Sequence, residues 1–296
     1  MLTIGSRGSQ LALWQANHIA SRLGELGIST RIEVIKTTGD HLQTASLIQA
    51  GGKGLFTKEI EEALFASTID VAVHSLKDLP TENPAGLMIA AIPEREDPRD
   101  ALLGCSLESL PNGARVGTSS GRRAAQLHLL RPDLCIEPIR GNVDTRLRKL
   151  HEGQYDAILL AVAGLRRLGL EGNIAHIFSP EEICPAAGQG ALAIQTRVDD
   201  KAAAICAQLN DERTSVAVRC ERAALAALGG GCQLPVGVFA EVVSDRLAVS
   251  AAVVSANGQH LRERMVGALE KPEQLGEALA QSLLACGANE LLGVAR

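Results

Sequence analysis

Strand-like and helix-like patterns alternate from Leu2 to about Ala161, and this restricts the fold of the chain more than any other feature. Leu2 to Gly5 reads as a strand. Ser9 then offers an N-cap for a helix whose Leu11, Trp14, Ile19 and Leu23 lie roughly along one face, with Gly27 as its stop. Arg31 to Lys36 predicts a second strand, Thr57 caps a helix running to about Ala66, and Asp70 to His74 is a short strand rich in valine. Strand, helix and strand in this order imply a parallel sheet covered by helices. Between Thr37 and Lys53 no period is visible, and Gly51-Gly52-Lys53-Gly54 reads as part of a mobile loop or lid.

The alternation returns further along: a strand at Arg115 to Gly117, a helix from Ser120 to Leu130, a strand at Cys135 to Ile139, a helix from Asn142 to His151 and a strand at Ala157 to Ala161. Two proline-bounded stretches, Pro93 to Pro98 and Pro185 to Gly190, are candidate crossings between domains. Two similar α/β units joined by two crossings predict a cleft between lobes. After Asp211 the pattern changes. A long helix to about Leu228 ends in Gly229-Gly230-Gly231. Three strand-like stretches follow (Val236 to Val243, Leu247 to Val254, His260 to Val266), separated by hairpin signals at Ser244-Asp245 and Asn257-Gly258. A last helix carries Leu275, Leu279 and Leu283, so this part is a small α+β domain of antiparallel strands.

Composition removes several classes. Hydrophobic residues at 46%, charged residues at 21% and a mean hydropathy of +0.10 describe a soluble globular chain. The longest apolar run, Ala157 to Leu165, is too short to span a bilayer, and residues Met1 to Arg7 lack the features of a signal peptide. Seven cysteines, an odd number without Cys-x-x-Cys or zinc-ligand spacing, predict a reduced cytoplasmic protein with no metal. Six aromatic residues leave little material for stacking bases, so nucleic acid is not an expected partner. The net charge of −5 is uneven, because Arg95 to Arg167 holds twelve Lys and Arg against nine Asp and Glu. An anionic ligand would suit that segment, although a G+C-rich genome alone would also favour arginine.

The chemistry-bearing residues cluster just after strands. Gly117-Thr118-Ser119-Ser120-Gly121-Arg122-Arg123 and Arg140-Gly141-Asn142-Val143-Asp144-Thr145-Arg146 both mark strand-to-helix junctions, where free backbone N–H groups favour anions. Arg7-Gly8-Ser9 occupies the equivalent place after the first strand, and ligands of open α/β sheets sit beyond the carboxyl ends of strands. Arg166-Arg167 adds to the set, or is simply a solvated helix end. In His74-Ser75-Leu76-Lys77-Asp78-Leu79-Pro80 an acid enters a cationic surround: Asp78 either faces a developing cation or forms a structural salt bridge, and His74 reads as a satisfied core histidine. Cys232, after three glycines, is the cysteine placed to meet a ligand, as an attachment point or a nucleophile, while the other six read as small buried hydrophobes.

Together with Arg7 to Leu13, Gly51 to Phe56, Arg95 to Asp100, Gly188-Gln189-Gly190 and Gly230 to Gln233, these phrases resemble the porphobilinogen deaminase (hydroxymethylbilane synthase) family, in order and over nearly the whole chain. The resemblance implies two α/β lobes like those of type II periplasmic binding proteins plus a small α+β domain with a three-stranded antiparallel sheet. The implied boundaries are residues 1–94 with 190–208, then 95–189, then 209–296. It implies an enzyme that joins four porphobilinogen units head to tail on a covalent dipyrromethane cofactor, losing ammonia each time, and releases 1-hydroxymethylbilane for uroporphyrinogen-III synthase. It further implies Asp78 as the catalytic acid and Cys232 as the thioether attachment. Ser75, Lys77, Thr118, Ser120, Arg122, Arg123, Arg140, Arg146, Gly188 and Gln189 are then cofactor-binding. Arg7, Ser9, Lys53, Phe56, Ser119, Arg140, Arg146 and Arg167 are substrate-binding, with Lys53 and Phe56 beside the lid. A monomer is expected. The competing classes are a two-lobe binding protein for a small anion, which leaves Cys232 unexplained, and a thiol hydrolase using Cys232.

Overall fold

The computed structural model describes residues 1–37, 57–230, 234–255 and 258–293. They fall into two compact units, Met1–Glu96 with Ala191–Ser215, and Asp97–Gly190 with Val216–Arg296.

In the first unit the chain runs through β1 (Leu2–Ser6), α1 (Gln10–Glu25), β2 (Thr30–Val34), α2 (Lys58–Phe65), β3 (Val71–Ser75) and β4 (Leu87–Ala91). The second unit takes over with β5 (Asp100–Leu103), β6 (Arg115–Gly117), α3 (Gly121–Leu130), β7 (Cys135–Glu137), α4 (Val143–His151), β8 (Ala157–Ala161), α5 (Val162–Arg167) and β9 (Ile174–Ile177). The chain returns to the first unit for β10 (Leu192–Arg197) and α6 (Lys201–Cys206). The remainder is α7 (Glu212–Ala227), β11 (Val236–Val243), β12 (Arg246–Val254), β13 (His260–Ala268), α8 (Pro272–Ala285) and α9 (Ala288–Leu292).

The two five-stranded sheets share one plan. In the first, the order is β2-β1-β3-β10-β4, with β1 parallel to β2 and β3, and with β10 antiparallel to both its neighbours. In the second, the order is β7-β6-β8-β5-β9, with β6 parallel to β7 and β8, and β5 antiparallel to β8 and β9. Each sheet is thus built from local βαβ units and completed by a strand that arrives from elsewhere in the chain: Leu192 pairs with Ser75, and Leu102 with Leu159. The third sheet is the antiparallel β11-β12-β13, in which Ser244 (φ 54°) turns the chain so that Val243 faces Arg246.

Packing follows the apolar stripes. In α1 the buried positions are Gln15, Ala16, Ile19 and Leu23, which lie against Ile4, Val71, Val73 and Ile194 of the sheet. The expected face is therefore rotated. Trp14 stays 37% exposed and stacks on His18, one turn on, at 5.1 Å between ring centroids. On the opposite face of that sheet, Ile60 and Leu64 of α2 cover Ala72 and Leu87. Each such side chain, fully buried, contributes roughly 1.5–3 kcal/mol of transfer free energy. In the second unit, Cys220 and Ala224 of α7 and Leu279 and Leu283 of α8 cover Val238, Val249, Ala251 and Val253. Gly276 lets α8 approach α7 closely, since a Cβ there would collide with the Cys220 carbonyl.

Local departures from the sequence pattern have local causes. Thr57 precedes α2, but its side chain makes no capping bond, because it sits with φ −118° and ψ −27° rather than in the extended region that caps use. The run Ala157 to Leu165 divides into a strand and a helix. Cys184, Cys206 and Cys220 are buried, and burial pushes each thiol up to about 12; Cys135 and Cys286 are exposed, against expectation, and lie at a sheet edge and a helix end. Among the described residues no helix is long and apolar enough to cross a membrane.

Candidate active site

In the first unit the site is assembled at the end of β3. Leu76, 1% exposed, and Leu79, 4% exposed, plug the core on either side of Asp78, and Leu79 N–H donates to the Leu76 carbonyl at 3.1 Å. The Leu76 N–H is held in turn by the Ala191 carbonyl, at 3.0 Å. A tight 3-10 turn over Leu76–Asp78 therefore projects Asp78 outward, where it is exposed. Among the described residues Asp78 forms no ion pair, so the structural salt bridge with Lys77 or an arginine is absent; Lys77 is half-buried.

Asp78 shares a pocket with Arg7, Ser9, Gln15, Thr57, His74 and Ser75, closed by Leu11, Ala12, Ile60 and Val73. Ser9 caps α1, its hydroxyl accepting the Ala12 N–H at 3.3 Å. Gln15 is buried and donates to the Ser75 hydroxyl at 2.8 Å. His74 is buried, its Nε2 lies 3.0 Å from the Gln195 amide oxygen, and burial pushes its pKa down to about 4. It is buried, as the sequence predicts, with Nε2 satisfied by Gln195, but its ring also borders the pocket. The Thr57 hydroxyl is buried and has no hydrogen-bond partner among the described residues.

In the second unit the turn between β6 and α3 is held by its own hydroxyls. Ser120 caps α3 by accepting the Arg123 N–H at 3.4 Å, and Thr118 accepts the Ser120 N–H at 3.2 Å, which leaves each hydroxyl a proton to donate. Ser119 donates to the Ile139 carbonyl at 2.7 Å, fastening this turn to the segment before α4. That segment is strapped as well: Arg146 Nε donates to the Gly141 carbonyl at 2.8 Å, and Lys149 Nζ to the Arg140 carbonyl at 3.2 Å. Gly141 has φ +113°, and a Cβ there would lie 2.6 Å from the Thr145 methyl.

Arg122 and Arg123 are buried against Asp100, whose carboxyl is fully enclosed: each guanidinium lies 2.7 Å from one of its oxygens. Burial alone would raise the Asp100 pKa, but the two arginines outweigh it and hold the carboxyl well below the usual range. Gln189 joins the group, donating to the Asp100 carboxylate at 2.9 Å and to the Pro98 carbonyl at 2.6 Å. Arg167 is 8% exposed and donates to the Gly190 carbonyl at 2.6 Å; it is no solvated helix end, whereas Arg166 pairs at 3.5 Å with Asp97. The Gly188 N–H is held at 2.6 Å by Glu221, a fully buried acid of α7 that also accepts the Ala240 N–H at 2.8 Å.

Sequence reasoning missed Asp100, Glu221, Gln15 and Gln195. The available signal was a polar residue on an apolar stripe, as in Glu221 between Cys220 and Ala224. Cys232, Lys53 and Phe56 lie outside the described residues.

Comparisons with known proteins agree over nearly the whole chain. Residues 2–205 match the family "Porphobilinogen deaminase, dipyromethane cofactor binding domain", and residues 215–285 match "Porphobilinogen deaminase, C-terminal domain". The chain is 50% identical to a porphobilinogen deaminase of Thiobacillus denitrificans, covering 98% of this chain and 97% of that one. It is 48% identical to one of Roseiflexus sp. strain RS-1, covering 98% of both. Among solved structures, a periplasmic substrate-binding protein of an ABC transporter from Coxiella burnetii aligns with a TM-score of 0.45 at 14% identity, over 71% of this chain and 91% of that one.

Proposed function

The chain belongs to the porphobilinogen deaminase family of tetrapyrrole biosynthesis, and from that premise we propose that Asp78 is the acid on which its chemistry turns. The observation that carries the proposal is an exposed carboxylate, unpaired among the described residues, in a pocket that also holds Arg7. Porphobilinogen carries two carboxylates, a pyrrole N–H and an aminomethyl group. Arg7 and the hydroxyl of Ser9 suit the carboxylates, and a guanidinium fork matches a carboxylate with two parallel bonds. Asp78 accepts the pyrrole N–H. When ammonia departs, the positive charge of the ammonium passes to the ring, and a fixed carboxylate beside the ring lowers the barrier most where water is excluded. Ser75, held by Gln15, and the half-buried Lys77 complete this wall; we assign Lys53 and Phe56 to the lid.

The family's cofactor is dipyrromethane, and the donor set of the second unit suits its carboxylates: the hydroxyl protons of Thr118 and Ser120, and the guanidiniums of Arg140 and Arg146. We assign Arg122 and Arg123, anchored on Asp100, and Gly188 and Gln189 to the same wall, Ser119 and Arg167 to the substrate side, and Cys232 of a C-terminal domain (residues 209–296) to the attachment. Bound there, dipyrromethane supplies the pyrrole carbon on which the chain grows. The role of the protein is to hold carboxylates with cations while keeping one anion for the ring. After four additions water releases 1-hydroxymethylbilane, the reaction of a hydroxymethylbilane synthase.

Two experiments test the reading. Asp78→Ala should lower turnover of porphobilinogen by at least about a hundredfold while the protein stays folded; turnover at the wild-type rate would refute it. Intact mass should exceed that of the sequence by two pyrrole units, and Cys232→Ser should abolish the excess.

A further inference from the structure

Behind the pocket, a chain of three polar side chains runs from α2 to the end of β3. His74 Nε2 lies 3.0 Å from Gln195 Oε1, and Gln195 Nε2 donates to Glu61 Oε1 at 3.2 Å. Burial raises the Glu61 pKa and the Gln195 hydrogen bond opposes that rise; as a carboxylate Glu61 offers lone pairs only, so the amide nitrogen of Gln195 faces Glu61 and its oxygen faces His74. An oxygen acceptor requires a proton on Nε2. Burial, aided by the charge of Arg7 and opposed by the Gln195 hydrogen bond, keeps the ring neutral at pH 7, so this is its single proton. Nδ1 then carries a lone pair and has no hydrogen-bond partner among the described residues. His74 lines the pocket beside Ser75 and Asp78, as does Thr57, whose buried hydroxyl has no partner among the described residues.

We propose that Glu61 and Gln195 clamp His74 in its Nε2–H tautomer, so that Nδ1 serves as a hydrogen-bond acceptor for the aminomethyl N–H of porphobilinogen, with Thr57 Oγ1 as the second polar atom of that subsite. The inference rests on the proposed function and deepens it. The substrate brings acids, which meet Arg7, and N–H donors, which need acceptors. Asp78 takes the ring N–H, and an uncharged acceptor is suited to a group that must leave as neutral ammonia. His74 and Thr57 are binding residues in this scheme; Gln195 and Glu61 are positioning residues.

The test uses holoenzyme labelled with 15N-histidine, with the His74 signals assigned by their loss in His74→Gln. The expected spectrum at pH 7 has a protonated Nε2 and a bare Nδ1; a protonated Nδ1 would overturn the proposal. Two variants add a readout that mere structural support would not give. Glu61→Gln keeps an acceptor for the Gln195 amide N–H and should retain both the tautomer and kcat/KM within about threefold. Gln195→Met releases the ring and should give mixed tautomers and a kcat/KM lower by roughly tenfold. Wild-type kcat/KM in Gln195→Met, or Glu61→Gln worse than Gln195→Met, would contradict the clamp. Should Gln195→Met fail to fold, the wild-type spectrum still decides. Failure of the underlying functional reading is distinct: wild-type protein would then not consume porphobilinogen at all.

Discussion

Asp78 and Asp100 are the same residue type, one on the turn after β3 and the other opening β5, yet they live in opposite surroundings. Asp78 is exposed on a turn and has no ion pair among the described residues, while Asp100 is fully buried with a guanidinium 2.7 Å from each oxygen. The contrast teaches where an acid is spent. Asp100 neutralises charge that would otherwise be stranded in the core, and it thereby fixes the arginines that border the β6–α3 turn. Asp78 is held by backbone and by buried leucines, so its carboxylate stays available.

The largest stability effect that could break this contrast is expected from Asp100→Ala. It leaves two buried guanidiniums without their carboxylate and should cost about 3 to 5 kcal/mol in denaturant unfolding; a loss below about 1 kcal/mol would mean that the pair is not structural. Acid titration sharpens the comparison further. His74 has a folded pKa of about 4, below its ordinary 6.5, so between these values the unfolded chain binds the proton and the native state does not. Stability therefore falls as pH drops through that window, by up to about 3 kcal/mol, and is unaffected by this group above it. Asp100, held well below its ordinary 3.8, contributes stability that persists above that value and is lost only in stronger acid. His74→Asn should flatten the upper window and leave the lower one. Glu221→Gln keeps one acceptor for two backbone donors and should cost about 2 kcal/mol. Gly141→Ala, with φ +113° and Thr145 in the way, should cost about 1 to 2 kcal/mol by thermal or denaturant unfolding.

What the sequence disclosed depended on how local the cause was. β1, β3, β6 and β8, with the helices α1 and α3, follow from period and caps, which are properties of neighbouring residues; Ser9 and Ser120 cap helices as their spacing predicts. β5 and β10 were illegible for the opposite reason. Asp100–Leu103 opens on an acid and is short, and its partners β8 and β9 lie more than fifty residues away, so tertiary pairing makes it a strand. The site divides in the same way. Arg7, Ser75 and Asp78 stand out because they follow strands, but nothing near Arg122 in the sequence says that Asp100, twenty-two residues earlier, will occupy its guanidinium. Glu221 and Gln195 are visible only once the core around them is built.

In the proposed reaction it is the charge of Asp78, and not its shape, that matters. Asp78→Asn keeps the size and the acceptor oxygen and removes the charge. Turnover of porphobilinogen and the unfolding free energy should be measured on the same preparation of this variant. Turnover should fall by at least about a hundredfold with stability within about 0.5 kcal/mol of wild type. Turnover near the wild-type rate, or lost turnover accompanied by a collapse in stability like that expected for Asp100→Ala, would contradict it.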